Sequence, residues 1–161
     1  MRCAMRERPR TGHRRRLSIR LLGAAVLGLT LAGCHSPDRG RPADLDLSLS
    51  RSTRDGLYRV SLVPPAAPLP LNRIHTWRIR LTSRSGAPVD GATISVDGGM
   101  PEHGHGLPTR PRVVPAGSDG LYALQGMKFS MTGWWEIRLG VHSPIGSDAV
   151  TINVILPPAA S

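Results

Sequence analysis

The amino-acid sequence predicts an all-β fold in which two sheets pack as a sandwich. Apolar and polar side chains alternate with a period of two in several short segments, as in strands that are buried on one face. Clusters of Gly, Pro, Ser and Asp separate these segments, for example SRSGAPVDG at residues 83–91, and such clusters are typical of turns. Downstream of the N-terminal region, no segment combines a helical period with capping residues. These observations together favour a sandwich of short strands.

The candidate strands follow one another from residue 57 to residue 156. The first, LYRVSLV at residues 57–63, alternates imperfectly and leads into a proline-rich connection that opposes helix formation. A later strand starts at Leu121. The remaining strands each place apolar side chains on one face: Trp77, Ile79 and Leu81; Ala92, Ile94 and Val96; Trp135, Ile137, Leu139 and Val141; and Val150, Ile152, Val154 and Leu156.

The N-terminal region has the pattern of a bacterial export signal. Eight arginines precede a run of apolar and small residues at positions 21–34. This run is shorter than the roughly 20 residues that span a bilayer, so a permanent transmembrane anchor is not expected. It ends in LAGC, which is similar to a lipobox, and we predict a signal helix within residues 1–33 and acylation of Cys34. The alternative is an ordinary signal peptide with a chance cysteine.

Three segments are therefore expected: a lipoprotein signal peptide at residues 1–33, a flexible tether at 34–53 and a β-sandwich domain at 54–158. The tether is polar and has no sustained apolar face. Within it, LDLSLS alternates at Leu45, Leu47 and Leu49. This alternation leaves open that the segment adds an edge strand to the domain.

Export also accounts for most of the positive charge. The chain has a formal net charge of +10, but residues 1–33 hold eight of the 21 basic and one of the 11 acidic side chains. The rest carries 13 basic and 10 acidic side chains, a net charge of +3. Its basic residues are scattered along the sequence and not interleaved with exposed aromatic residues, which disfavours DNA or RNA binding.

The segment GGMPEHGHGLPTR at residues 98–110 contains candidate metal ligands. The mature chain would keep no free thiol, so a metal must be bound by His, Met, Asp, Glu or backbone groups. In an extended segment His103 and His105 project from one face and reach one ion. The surrounding prolines oppose full pairing as an inner strand, so we expect this segment along a sheet edge.

Methionines add soft ligands to this candidate site. Met100 precedes the histidines, and Met127 and Met131 lie four residues apart in GMKFSMTGWW. Thioethers suit Cu(I), and imidazole suits copper in both oxidation states. All three methionines that remain after export lie in these two stretches, which favours copper over zinc or iron.

Simpler interpretations exist for each of these residues. The histidines can bond to the backbone in a polar turn, and Met127 and Met131 can fill gaps in the core. Trp134 lies on the strand face opposite Trp135, so it either covers the site or presents an exposed ring to a partner. His75 and His142 are expected to be structural. No nucleophile elbow or paired catalytic acid is apparent, so the sequence does not predict an enzyme.

The stretches DGGMPEHGHGLPTRPRV and LYALQGMKFSMTGWWEIRL, in this order, resemble the YtkA-like/FixH-like family of bacterial exported or membrane-anchored domains. The resemblance implies an immunoglobulin-like β-sandwich, similar in outline to small periplasmic copper carriers. FixH-like members are linked to maturation of copper-containing respiratory oxidases. This chain differs from them in having a lipobox in place of a clear transmembrane helix.

Two functions are consistent with the sequence. The first is a lipid-anchored domain of the cell envelope, facing the periplasm or outer surface, that binds or handles copper in metal homeostasis or oxidase maturation. The second is an accessory domain without a metal that docks onto a membrane or periplasmic protein through the proline-rich segment and Trp134. Neither involves nucleic acid.

Overall fold

The computed structural model describes residues 40–65 and 67–158. These residues belong to one compact unit, Ser36–Ser161. The predicted signal peptide and the predicted acylation site, Cys34, lie outside the described residues. Because the compact unit contains every described strand and the whole described core, it is the part of the chain to produce for measurements in solution.

The described residues form nine β-strands in two antiparallel sheets, which confirms the predicted sandwich. The first sheet has the order β1-β2-β3-β7-β6 and the second has the order β5-β4-β8-β9. The strands are β1 Ser50–Ser52, β2 Tyr58–Val63, β3 His75–Ser83, β4 Thr93–Met100, β5 His105–Gly106, β6 Arg112–Pro115, β7 Leu121–Met127, β8 Gly133–Ser143 and β9 Gly146–Leu156. The described segments contain no helix long and apolar enough to cross a membrane.

The core lies between the two sheets and is formed by the apolar faces that alternation predicted. Trp77, Ile79 and Leu81 from β3 are buried, and Trp135, Ile137, Leu139 and Val141 from β8 are buried on the facing sheet. Each such side chain contributes about 1.5–3 kcal/mol relative to an exposed one. The period-two pattern therefore has its cause in the burial of one strand face.

The domain begins earlier than expected. Residues 50–52, assigned to the tether from sequence, form β1 and pair with β2 from Ser50↔Ser61 to Ser52↔Arg59. The backbone N–H of Leu62 also donates to the carbonyl of Leu49. The tether prediction is thus too long at its C-terminal end, because backbone pairing along β2 orders residues 50–52 and the preceding Leu49 packs against the core.

One buried carboxylate joins this early segment to the other sheet. Asp148 in β9 accepts hydrogen bonds from the backbone N–H groups of Asp55 at 3.1 Å and Leu57 at 3.2 Å. Burial raises the pKa of Asp148, but hydrogen bonds from the Thr53 side chain and from three backbone N–H groups outweigh it and lower the pKa to about 2.

Gly99 of β4 and Gly106 of β5 lie where the two strands approach closely. They face each other in the register. A Cβ on Gly99 would lie 2.3 Å from the carbonyl oxygen of His105, whereas a Cβ on Gly106 would meet its nearest atom at 3.5 Å. Only Gly99 therefore has no room for a side chain.

We predict that Asp148→Asn removes an acid-sensitive part of the stability. The folded pKa is lower than the unfolded value, so the carboxylate stabilises the fold above about pH 4, and this contribution is lost as the pH falls towards about 2. The variant should lose about 1–2 kcal/mol of unfolding free energy at pH 7 and show a flatter acid transition. Urea unfolding of residues 36–161 between pH 2 and pH 7 measures this. The control Asp119→Asn changes an exposed carboxylate, and an equal effect in both variants would contradict the assignment.

We also predict that Gly99→Ala lowers the free energy of unfolding by about 1–3 kcal/mol, because the methyl group overlaps the backbone of β5. Gly106→Ala is the matched control across the same strand pair and should change stability by less than about 0.5 kcal/mol. Urea unfolding compares the two variants. Equal stabilities would show that the close approach of β5 to β4 is not needed.

Candidate metal site

The two candidate histidines lie at the turn that connects β4 to β5. The N–H groups of His103 and Gly104 both donate to the carbonyl of Met100, at 3.1 and 3.0 Å, and so close the turn. Gly104 has φ +66°, a left-handed conformation that suits glycine. The expected extended conformation of residues 103–105 is therefore wrong, since His103 lies in the turn and only His105 lies in a strand.

The turn nevertheless brings the two imidazoles together at a sheet edge. β5 is the outermost strand of its sheet, as predicted. The rings of His103 and His105 are stacked with centroids 5.9 Å apart and planes inclined by 19°. Both side chains are exposed.

His105 also contacts a methionine from the second candidate stretch. Its Nε2 lies 3.4 Å from Sδ of Met131, a residue that is 39% exposed. Nδ1 of His105 lies 3.2 Å from the carbonyl oxygen of Gly106. A carbonyl oxygen only accepts, so in the tautomer that carries its proton on Nδ1 the ring donates to Gly106 and the lone pair of Nε2 faces the sulfur.

Trp135 contacts both members of this pair. Its indole is fully buried and meets the His105 ring edge to face, with centroids 5.7 Å apart. Its Nε1 donates a hydrogen bond of 3.1 Å to the carbonyl of Met131. One side chain of β8 thus positions the histidine of β5 and the methionine of the β7–β8 connection. Alternation predicts that Trp135 faces inward, but no local pattern reveals these two contacts.

The other two methionines are buried. Met100 is 1% exposed, lies opposite His105 in the register, and packs its methyl group against Gly133. It therefore lies directly beneath the turn. Met127 is fully buried and pairs with His75 in the first sheet. The interpretation of Met127 as a ligand is corrected: it fills the core, which is the role weighed against ligation from the sequence.

The expected exposed ring of Trp134 is also corrected. Only 5% of its surface is exposed, and its Nε1 donates to Oδ1 of Asn153 at 3.0 Å. Asn153 in turn donates to the carbonyl of Asp46 at 2.9 Å. Trp134 lies outside the main core cluster but is tied into this hydrogen-bond chain, so its ring is no partner surface in this conformation.

His75 and His142 have local partners. Nδ1 of His75 accepts from Nε1 of Trp77 at 3.0 Å, while its buried Nε2 has no partner within the described residues. Burial lowers the pKa of His75, so its ring is held neutral in the core beside Phe129. His142 is exposed, and its ring contacts Ser147 at 2.7 Å. Both remain structural residues.

Across residues 40–65 and 67–158, no group of three or more His, Cys, Asp and Glu side chains is placed to hold a metal ion. The cluster at the turn instead combines imidazole with thioether. It consists of His103, His105 and Met131 at the surface, and of Met100 beneath them.

Comparison with known proteins agrees with the resemblance found in the sequence. The family model described as YtkA-like matches residues 53–140, which is more than half of the chain and includes both candidate ligand stretches. No curated protein and no solved structure matches the chain. The matched segment extends from the residue after β1 into β8, so it contains the turn, Met131 and Trp135. The chain belongs to the YtkA-like family.

Proposed function

We propose that this domain binds Cu(I) at the β4–β5 turn, with His105 and Met131 as the central ligand pair. The observation that carries the proposal is the 3.4 Å separation of His105 Nε2 and Met131 Sδ. An imidazole and a thioether from stretches 26 residues apart in sequence meet at the surface of the domain. This donor set suits Cu(I), which favours soft sulfur ligands and accepts imidazole.

The dimensions of the pair fit a shared ion. Metal bonds to nitrogen and sulfur ligands are about 2.0 and 2.3 Å long, so two such ligands on one ion lie up to about 4.3 Å apart. The separation of 3.4 Å falls within this limit. In the tautomer protonated on Nδ1, His105 donates to the carbonyl of Gly106, and a hydrogen bond of this kind commonly orients a metal-binding imidazole.

Two further residues complete the proposed ligand set. The stacked ring of His103 is exposed and reaches the same ion by side-chain rotation. Met100 is buried and lies opposite His105 in the register, so we include its sulfur as a ligand from the protein interior. Met127 is left out of the set because it lies in the other sheet, opposite His75, whereas Met100 lies opposite His105.

The location of this function follows from the N-terminal pattern. We propose that the chain is exported, anchored through a lipid on Cys34, and acts at the membrane as a copper-handling module rather than an enzyme. Roles in metal homeostasis or in maturation of a copper-containing oxidase both fit such a module. The lipid would leave the β-sandwich in the periplasm or on the outer surface.

A second candidate function is docking onto a protein partner. The observation that favours it is the exposure of three apolar side chains: Leu71, Ile74 and Met131 are 41%, 71% and 39% exposed. Leu71 forms a bridge to Phe129, two residues before Met131. In this function Met131 would make an apolar contact, and Trp134 would have no part.

A Cu(I) titration separates the two candidates. Residues 36–161 should bind one Cu(I) in competition with a chromophoric chelator under anaerobic conditions. His105→Ala and Met131→Leu should each weaken binding at least about tenfold, which corresponds to about 1.4 kcal/mol. Leucine keeps the volume of Met131, so the second variant removes the sulfur and preserves the apolar surface.

His142→Ala is the control, because it removes an exposed imidazole whose ring contacts Ser147. It should leave copper binding unchanged. The copper proposal is refuted if wild type and His103→Ala/His105→Ala bind Cu(I) equally, and partner docking then remains.

A further inference from the structure

The two sheets of the sandwich differ in charge. The strands of the first sheet contain five arginines and no Asp or Glu. The strands of the second sheet contain one arginine and three acidic residues, Asp97, Glu136 and Asp148. The basic residues are scattered in the sequence, but strand pairing brings five of them into one sheet.

Four of these arginines lie on the outer face of the first sheet and are exposed. Arg78 and Arg80 alternate with the buried residues of β3, and Arg59 belongs to the neighbouring strand β2. Arg112 lies in β6, at the far edge of the same sheet. We call this surface, Arg59, Arg78, Arg80 and Arg112, the basic face.

Within the described part of the chain, no arginine of the basic face forms an ion pair. Arg112 donates to the neutral side chain of Gln125, and Arg59 lies 3.5 Å from the hydroxyl of Ser50. By contrast, Arg138 of the second sheet forms ion pairs with Asp97 and Glu136. The positive charge of the basic face is therefore not neutralised by neighbouring carboxylates.

Apolar side chains accompany these arginines. Val63 lies opposite Arg78 in the register and is 41% exposed, and Leu121 lies opposite Arg80 and is 36% exposed. Guanidinium groups bind phosphate oxygens in pairs of hydrogen bonds, and exposed aliphatic groups between them suit the boundary between headgroups and acyl chains. The combination matches a phospholipid surface better than an acidic polypeptide, which needs no apolar contact.

We propose that the basic face docks the domain onto membranes that contain anionic phospholipids. This proposal concerns a surface distinct from the His–Met cluster and holds whether or not copper binds there. It adds a second attachment to the lipid on Cys34 proposed above. A single acyl chain gives weak, reversible anchoring, and a basic surface is a common second signal for stable attachment.

Vesicle co-sedimentation of residues 36–161, which lack the export segment, tests this surface without a lipid anchor. The protein should bind vesicles of equimolar phosphatidylglycerol and phosphatidylcholine, should not bind phosphatidylcholine alone, and should be released by salt. Arg78→Gln/Arg80→Gln should weaken binding about thirtyfold, since each basic residue near an anionic surface contributes about fivefold. Circular dichroism and the urea midpoint verify that the variant is folded.

Arg41→Gln/Arg54→Gln is the charge-matched control. Both of its arginines are exposed and lie outside the basic face, so this variant should lose less than about threefold. Three results would overturn the proposal: equal binding to both kinds of vesicle, equal losses in the two double variants, or no vesicle binding together with binding to polyglutamate. The last result would assign the face to an acidic protein.

Discussion

The arrangement of the site depends on the packing of Trp135 between two stretches that are distant in sequence. Its ring lies against His105 of β5, and its N–H fixes the carbonyl of Met131. The Trp135 ring also meets Phe129, with centroids 5.2 Å apart, and Phe129 meets His75. The surface pair thus rests on a continuous aromatic layer inside the sandwich. Moving a fully buried indole would cost much packing energy. This layer therefore holds the backbone at His105 and Met131 in place.

Because β5 is an edge strand, the histidine that lies against this aromatic layer is accessible from the surface. Gly99 allows β5 to lie close to β4, and the left-handed Gly104 closes the turn over Met100. The candidate donors therefore lie at different depths, with Met131 and both imidazoles at the surface and Met100 buried beneath them. Under the copper proposal, such a set would suit an ion that is received from solution and released again. Because the strands that carry these side chains are already ordered, less conformational entropy would be lost when an ion binds.

Much of the architecture is predictable from the sequence, because burial of one strand face imposes a period of two. The same local reasoning places the histidine turn at a sheet edge from its prolines. It does not reveal that Trp134 is buried. The indole of Trp134 bonds to Asn153 in another strand, and Asn153 bonds to the carbonyl of Asp46, so these contacts depend on the tertiary fold. Nor does it separate Met131 from the buried Met100 and Met127, which differ in tertiary position rather than in pattern. The basic face is not evident from the sequence for the same reason, since its arginines come from three different strands, β2, β3 and β6.

The two proposed functions of the surface are spatially separate. The His–Met cluster lies at the β4–β5 turn, and the basic face lies on the outer side of the other sheet. A domain docked through that face keeps the turn available to solvent or to a partner.

The proposed copper site requires that an imidazole nitrogen and a thioether sulfur bind the same ion. X-ray absorption at the copper edge of Cu(I)-loaded residues 36–161 tests it most directly. We expect nitrogen and sulfur together in the first coordination shell, with the sulfur contribution reduced in Met131→Leu. A shell of nitrogen and oxygen alone, unchanged in that variant, would contradict it.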